Sequence, residues 1–321
     1  MNKKLSELIG DQVKENEILA LHTTFKIGGP AKYFYVAHDS SQLLRAVKSA
    51  EKLNIPYVIL GWGSNVLVSD DGFPGLVIKS TSDRYEISGQ EISAEAGFSL
   101  NRLVGLAAQA GLSGLEQFVG IPSSVGGAAR GNAGAFGVGL GDRILWVEVY
   151  QDGKIKKFSQ TEMEYAYRES RLKHEPGIIL SVMMKLEKTD PALIQQKVIE
   201  KIKSRKNIPL EPSAGCVFKN CELDKIQIDE SRIVKELDVT LEEWREATKF
   251  KKLPIGYIVD RLGLKGKIIG GAKVSEKHGA FIVNIGTARA EHVLMLISDI
   301  KMEVRNKLGI QLQEEIEYIG F

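Results

Sequence analysis

Two glycine-rich stretches constrain this chain more than anything else in it. The first is Gly61-Trp62-Gly63-Ser64-Asn65, set between apolar runs at 56–60 and 66–68. The second is Gly120-Ile121-Pro122-Ser123-Ser124-Val125-Gly126-Gly127. A dinucleotide fingerprint would lie between a strand and a helix, with a third glycine in register. The first stretch instead reads as a turn between strands. Small residues in such a turn expose successive backbone N–H groups, a concavity suited to phosphate oxygens. Two such loops point to a diphosphate-bearing cofactor held mainly by backbone, and so to catalysis.

Composition narrows the class. A chain of 321 residues with 43% apolar and 26% charged residues suits a globular protein of two or three domains. A net charge of +2 lacks the basic stripe of a nucleic-acid binder. No apolar run is long enough to cross a bilayer. The first lysines are not followed by an apolar segment, so no secretory signal is expected and the cytoplasm is the expected location. Cys216 and Cys221, the only cysteines, form neither a disulfide framework nor a zinc pattern. No metal site is expected.

Periodicity predicts a helix over 36–54, capped by Asp39 or Ser40, with Leu43, Val47, Ala50 and Leu53 along one stripe. Strands are expected at 56–60, 66–68 and 75–79. Ser99 should cap a helix that Gly111 ends. Residues 146–150 and 154–158 read as a hairpin around Asp152-Gly153. Asp190-Pro191 starts a helix with Ile194, Val198 and Ile202 inward. Thr240 and Glu243 have capping-box spacing. A last long helix over 288–308 turns Val293, Ile297, Ile300, Val304 and Leu308 inward, and a final strand is expected over 310–319.

Taken together, the motifs resemble the UDP-N-acetylenolpyruvoylglucosamine reductase family nearly end to end. They include Thr23-Thr24-Phe25-Lys26-Ile27-Gly28-Gly29, the first glycine stretch, Gly114-Leu115-Glu116, the second stretch, and Gly131-Asn132-Ala133-Gly134. Tyr167-Arg168-Glu169-Ser170, Ser213-Ala214-Gly215-Cys216-Val217-Phe218-Lys219-Asn220, Ser275-Glu276-Lys277-His278 and Gln313-Glu314-Glu315 follow in order. The resemblance implies an α+β architecture: a two-part FAD-binding module of the vanillyl-alcohol-oxidase/PCMH type over 1–85 and 86–205, then a substrate-binding domain over 206–321. It implies noncovalent FAD, NADPH as reductant, a nucleotide-sugar substrate, and a monomer or weak homo-oligomer. With no room for an extra tyrosine-bearing loop between Arg168 and Cys216, the chain is similar to the shorter, second type. The stretch 222–252 then reads as an insertion, either a solvated helical pair or a lid or dimer contact. An oxidase of the same fold and a non-catalytic flavin-binding paralogue are the alternative readings.

The same resemblance implies site residues. Gly61, Gly63, Ser64, Asn65, Gly120, Ile121, Pro122, Ser123, Ser124, Gly126, Gly127, Asn132 and Gly134 would contact FAD, and Lys219 and Asn220 the substrate. Arg168 would hold the substrate carboxylate, a task suited to a bidentate guanidinium. Cys216 stands where the family usually has a serine proton donor; a thiol, with an ordinary pKa near about 8.5, is a competent acid. Glu315 matches the terminal catalytic glutamate, although a one-residue slip of register would point to Glu314. Ser123 replaces a loop glycine and would be strained at positive φ. His278 reads as structural or supporting, and Cys221 carries no role.

Overall fold

The computed structural model describes residues 2–10 and 12–321. The chain forms two compact units, and the second gathers pieces from both ends of the sequence. The first unit takes in residues through Glu17, Ala31–Trp62 and Pro74–Lys206; the second takes in Ile18–Pro30, Gly63–Phe73 and Asn207–Phe321. A sequential division of the chain cannot express this, because the break falls inside the first glycine stretch.

In the first unit, one four-stranded sheet runs in the order Lys14–Ile18, Pro30–Ala37, Phe73–Ser80, Tyr57–Leu60. Its helix covers Ser40–Lys52, shorter than the sequence pattern suggested, because Val36 and Ala37 end the strand Pro30–Ala37. Asp39 marks the true start: its carboxylate accepts from Gln42 N–H at 2.8 Å. Leu43, Val47 and Ala50 pack against Leu76 and Ile78 of the sheet. A second, antiparallel sheet has five strands in the order Lys154–Ser159, Ile144–Gln151, Ile178–Lys185, Glu91–Glu95, Tyr85–Ser88. Its hairpin turns at Asp152 and Gly153, both at positive φ, as a two-residue turn of matching twist requires. Ser99 caps the helix Leu100–Gln109, whose Leu100, Leu103, Val104 and Ala107 join this sheet's core. The helix Pro191–Ser204 buries Ile194 but leaves Ile202 half exposed, so the expected stripe fails at its C-terminal end.

The second unit is built on a four-stranded sheet ordered Ser213–Cys216, Phe281–Asn284, Ala272–Val274, Ile268–Ile269. The helix Ala290–Leu308 buries all five expected positions and ends at Gly309, in the left-handed conformation that glycine tolerates. Phe25, Ile27 and Leu67 complete the core, which explains why the early segments belong here. Ile233, Leu237 and Trp244 also enter this core, so 222–252 is part of the packed interior and not a merely solvated helical pair. Truncating a buried tryptophan such as Trp244 costs about 3–5 kcal/mol. Only Glu317–Ile319 of the expected last strand is regular, pairing in parallel with Val66–Val68. The residues before it make isolated backbone pairings instead, and these matter for the site.

Candidate active site

The two glycine stretches differ in how they fold. The strand before the first, Tyr57–Leu60, pairs with Phe73–Ser80, whereas the strand after it, Val66–Val68, pairs with Glu317–Ile319. The turn therefore joins two separate sheets. Gly63 sits at φ 65°, and a Cβ there would lie 2.6 Å from the His22 carbonyl oxygen. Thr24 fixes this stretch, donating its N–H to Gly63 O at 3.1 Å and its hydroxyl to Ser213 O at 2.7 Å. Ser213 begins the strand that ends at Cys216.

The second stretch corrects the expectation of a row of exposed donors. The N–H groups of Ile121, Ser123, Val125 and Gly126 donate to Phe118, Ile121, Phe98 and Ala96 carbonyls. Gly120 N–H donates to Asn101 Oδ1 at 2.6 Å and Gly127 N–H to Ser124 Oγ at 3.2 Å. What the glycines allow is a close approach of other parts of the chain. A Cβ on Gly61 would collide with Ser124 Oγ, and one on Gly127 would lie 3.1 Å from that oxygen and 3.3 Å from Ser123 Oγ. Bare backbone flanked by two hydroxyls, with no carboxylate among these residues, fits the close approach of a diphosphate. Ser123 is not at positive φ, so its replacement of glycine brings no backbone strain.

Asn132 links this region to Arg168. Its Nδ2 donates to Ala166 O at 2.7 Å and its Oδ1 accepts from Gly141 N–H at 2.9 Å. Ala166 and Glu169 pair across the tight turn Tyr167-Arg168, where Arg168 has φ 57°. A bulky residue in that region is held only by strong surroundings. Here Asn132 holds one side, and Ser170 Oγ, donating to Arg130 O at 2.6 Å, holds the other. The Arg168 guanidinium lies beside Gly134, with Nη1 3.4 Å from where a Cβ there would be. Below the second stretch, Glu116 is buried. Desolvation alone would raise its pKa, but hydrogen bonds from Ser113 Oγ at 2.6 Å and Gly114 N–H at 2.7 Å outweigh it and hold the carboxyl below its ordinary range.

In the second unit, the strand that ends at Cys216 and the segment that bears Glu315 are brought side by side. Glu315 N–H donates to Val217 O at 2.7 Å, Lys219 N–H to Gln313 O at 2.9 Å, and Phe218 bridges Glu314. Asn65, from the first glycine stretch, donates through Nδ2 to Glu315 O at 3.0 Å and accepts from Glu317 N–H at 2.9 Å. A Cβ on Gly215 would lie 3.9 Å from Ser64 O, so Ser64 and Asn65 border the Cys216 strand. Glu314 is engaged elsewhere, with Lys301 Nζ at 2.7 Å and Tyr318 OH at 3.1 Å. Successive side chains of extended backbone take opposite faces, which leaves Glu315 on the other side. Asn220 Oδ1 accepts from Ile255 N–H at 3.1 Å and so caps the helix Ile255–Arg261. The two cysteines are not joined by a disulfide, and burial pushes the Cys221 thiol up to about 11. His278 Nδ1 accepts from Ala280 N–H at 3.2 Å, a structural contact, and burial lowers its pKa.

Comparison with known proteins now decides the family. Residues 206–319 match the C-terminal domain of UDP-N-acetylenolpyruvoylglucosamine reductase, and residues 31–159 match an FAD binding domain. The chain is 38% identical to the UDP-N-acetylenolpyruvoylglucosamine reductase of Heliobacterium modesticaldum over 315 residues, which is 96% of this chain and 91% of that one. It belongs to the UDP-N-acetylenolpyruvoylglucosamine reductase family. The Bacillus subtilis reductase is 36% identical over 99% of this chain and 97% of its own. The crystal structure of the Thermus caldophilus reductase superposes with a TM-score of 0.74 at 34% identity, covering 95% of this chain and 98% of that one. The α+β fold with its FAD-binding domain is thus the reductase fold, and membership in this family displaces the oxidase reading. Among the described residues, no helix is long and apolar enough to cross a membrane. Within this reductase fold, the sequence gives no sign of the places of Thr24 and Asn65 as struts. The one available signal is that each lies inside a motif that also carries two glycines.

Proposed function

We propose that the protein reduces UDP-N-acetylglucosamine enolpyruvate to UDP-N-acetylmuramate for peptidoglycan synthesis, with NADPH as reductant, in the cytoplasm. The observation that carries this reading is the junction in the second unit, where hydrogen bonds tie the Glu315 segment on one side to Asn65 and on the other to Val217, next to Cys216. When bound, FAD would supply the hydride-transfer chemistry between NADPH and the enolpyruvyl methylene carbon. Gly61, Gly63, Ser64 and Asn65 of the first stretch would hold it, with Gly120, Ile121, Pro122, Ser123, Ser124, Gly126 and Gly127 of the second, and Asn132 and Gly134.

Arg168 holds the substrate carboxylate and offsets the negative charge that grows on it as hydride adds to the methylene carbon and the displaced C=C π pair moves onto the carbon that bears the carboxylate. The Cys216 thiol then gives its proton to that carbon. Glu315 orients the thiol or returns a proton to it, a task that its fixed backbone serves. Lys219 and Asn220 take the nucleotide-sugar end. Either a monomer or a weak homo-oligomer suffices, since every group named lies in one chain.

Rapid mixing of the FAD-loaded protein tests the assignment. Cys216→Ala is expected to keep NADPH-driven bleaching of the flavin while turnover with the enolpyruvate falls roughly 10²–10⁴-fold, the usual worth of a placed general acid. Cys216→Ser should restore much of that turnover. Full turnover by the alanine variant would remove Cys216 from the mechanism. Failure of the unaltered protein to consume NADPH with this substrate would remove the function itself.

A further inference from the structure

Arg205 ends the helix Pro191–Ser204 and turns back along the second glycine stretch. Its Nη2 donates to Gln117 O at 2.9 Å, and its Cδ lies 3.1 Å from where a Cβ on Gly120 would be. Its guanidinium carbon stands 5.6 Å from the centre of the Phe136 ring, an arrangement that favours a fixed guanidinium plane. Its Nε is shut off from solvent and has no hydrogen-bond partner. A buried donor left in that state is unfavourable until something accepts from it.

The surrounding charge points to what that acceptor is. Burial, and then repulsion from Arg168, lower the Arg205 pKa; no carboxylate acts on it. Arg168 lies beside Gly134 and Arg205 beside Phe136, so both guanidiniums border the same small hairpin, Gly134–Ala135 with Val138–Gly139. Two partly buried guanidiniums that repel each other gain when one anion accepts from both. The edge of a guanidinium that carries Nε–H is the edge that pairs side-on with a carboxylate.

We propose that Arg205 joins Arg168 in a two-guanidinium clamp on the enolpyruvyl carboxylate, making Arg205 a substrate-binding residue that selects carboxylate-bearing nucleotide sugars. This rests on the functional reading above and deepens it. Two ligands separate the carboxylate from the other anionic groups in reach. UDP-N-acetylmuramate carries the carboxylate, while UDP-N-acetylglucosamine has the same diphosphate and sugar without the lactyl arm.

The test is equilibrium titration of the FAD-loaded protein, following flavin fluorescence, with flavin content measured alongside. Arg205→Met is expected to weaken UDP-N-acetylmuramate by roughly 10–100-fold, the worth of a charge-assisted hydrogen bond. UDP-N-acetylglucosamine should change by less than about twofold and flavin content should hold. Arg205→Lys keeps the charge and most of the stem, so it folds, and should show a smaller loss confined to the same ligand. Equal weakening of both ligands would assign Arg205 to the diphosphate and overturn the proposal. Loss of flavin would assign it to the cofactor cradle, and no change would make it a helix cap; either result also overturns it. An unaltered protein that binds neither nucleotide sugar would instead remove the functional reading beneath.

Discussion

Each glycine stretch is followed by an asparagine that ties it to a segment bearing a proposed catalytic group, yet the two asparagines work under different conditions. Asn132 is buried, sits at φ 42°, and uses both ends of its amide, to Ala166 O and from Gly141 N–H. Asn65 is half-buried and uses only Nδ2, to Glu315 O. The first strut braces a turn already strained at Arg168; the second steadies extended backbone that has its own pairing through Val217. In both units the proposed cofactor loop and the segment bearing the proposed catalytic group are therefore one mechanical piece. They differ in how much of the local fold depends on that link.

Substituting the two residues alike should expose this difference. Asn132→Ala strands the buried Gly141 N–H, removes the partner of the Ala166 carbonyl and puts alanine at positive φ, so a loss of roughly 2–4 kcal/mol is expected in urea unfolding. Binding of UDP-N-acetylmuramate should fall with it, because the Arg168 turn loses its brace. Asn65→Ala removes one hydrogen bond in a better-supported segment and should cost only about 0.5–1.5 kcal/mol. Its larger effect should be on turnover, through the Glu315 segment. Equal losses of stability in the two variants would break the comparison.

Much of the fold was legible because its signals are local. Asp39, Ser99, Asp190 and Thr240 all cap helices through their own side chains, and the inward stripe of the helix Ala290–Leu308 is complete. Illegible were the facts that depend on partners distant in sequence. Val66–Val68 finds its neighbour at 317–319, and Phe25 and Trp244 meet in one core although more than half the chain separates them. No periodicity within either segment encodes such a pairing. The candidate site divides along the same line. Residue identities at Arg168, Cys216 and Glu315 could be matched to motifs, whereas the Lys301 and Tyr318 contacts of Glu314, which favour Glu315 as the proposed catalytic carboxylate, depend on residues outside the motif. The glycines of the second stretch likewise read as donors of N–H groups, whereas the fold uses most of those groups internally and needs the glycines so that neighbouring side chains and backbone can pack closely.

A third asparagine gives the smallest effect and the sharpest control. Asn220 lies in the Cys216 motif, but its side chain accepts a hydrogen bond, from Ile255 N–H, where Asn65 and Asn132 donate to carbonyls. Aspartate keeps an acceptor and loses the donor. Asn220→Asp should therefore keep the cap, with its charge favourably placed at the start of the helix Ile255–Arg261, and change stability by no more than about 0.5 kcal/mol. Asn132→Asp would set a carboxylate against the Ala166 carbonyl and should destabilise nearly as much as alanine does. If Asn220→Asp instead unfolds early, the cap is not what holds Asn220. If it folds normally but loses affinity for both nucleotide sugars, its Nδ2 donates to the ligand. Position 220 would then combine a structural acceptor with a binding donor, the division of labour within one amide that Asn132 uses wholly for the fold.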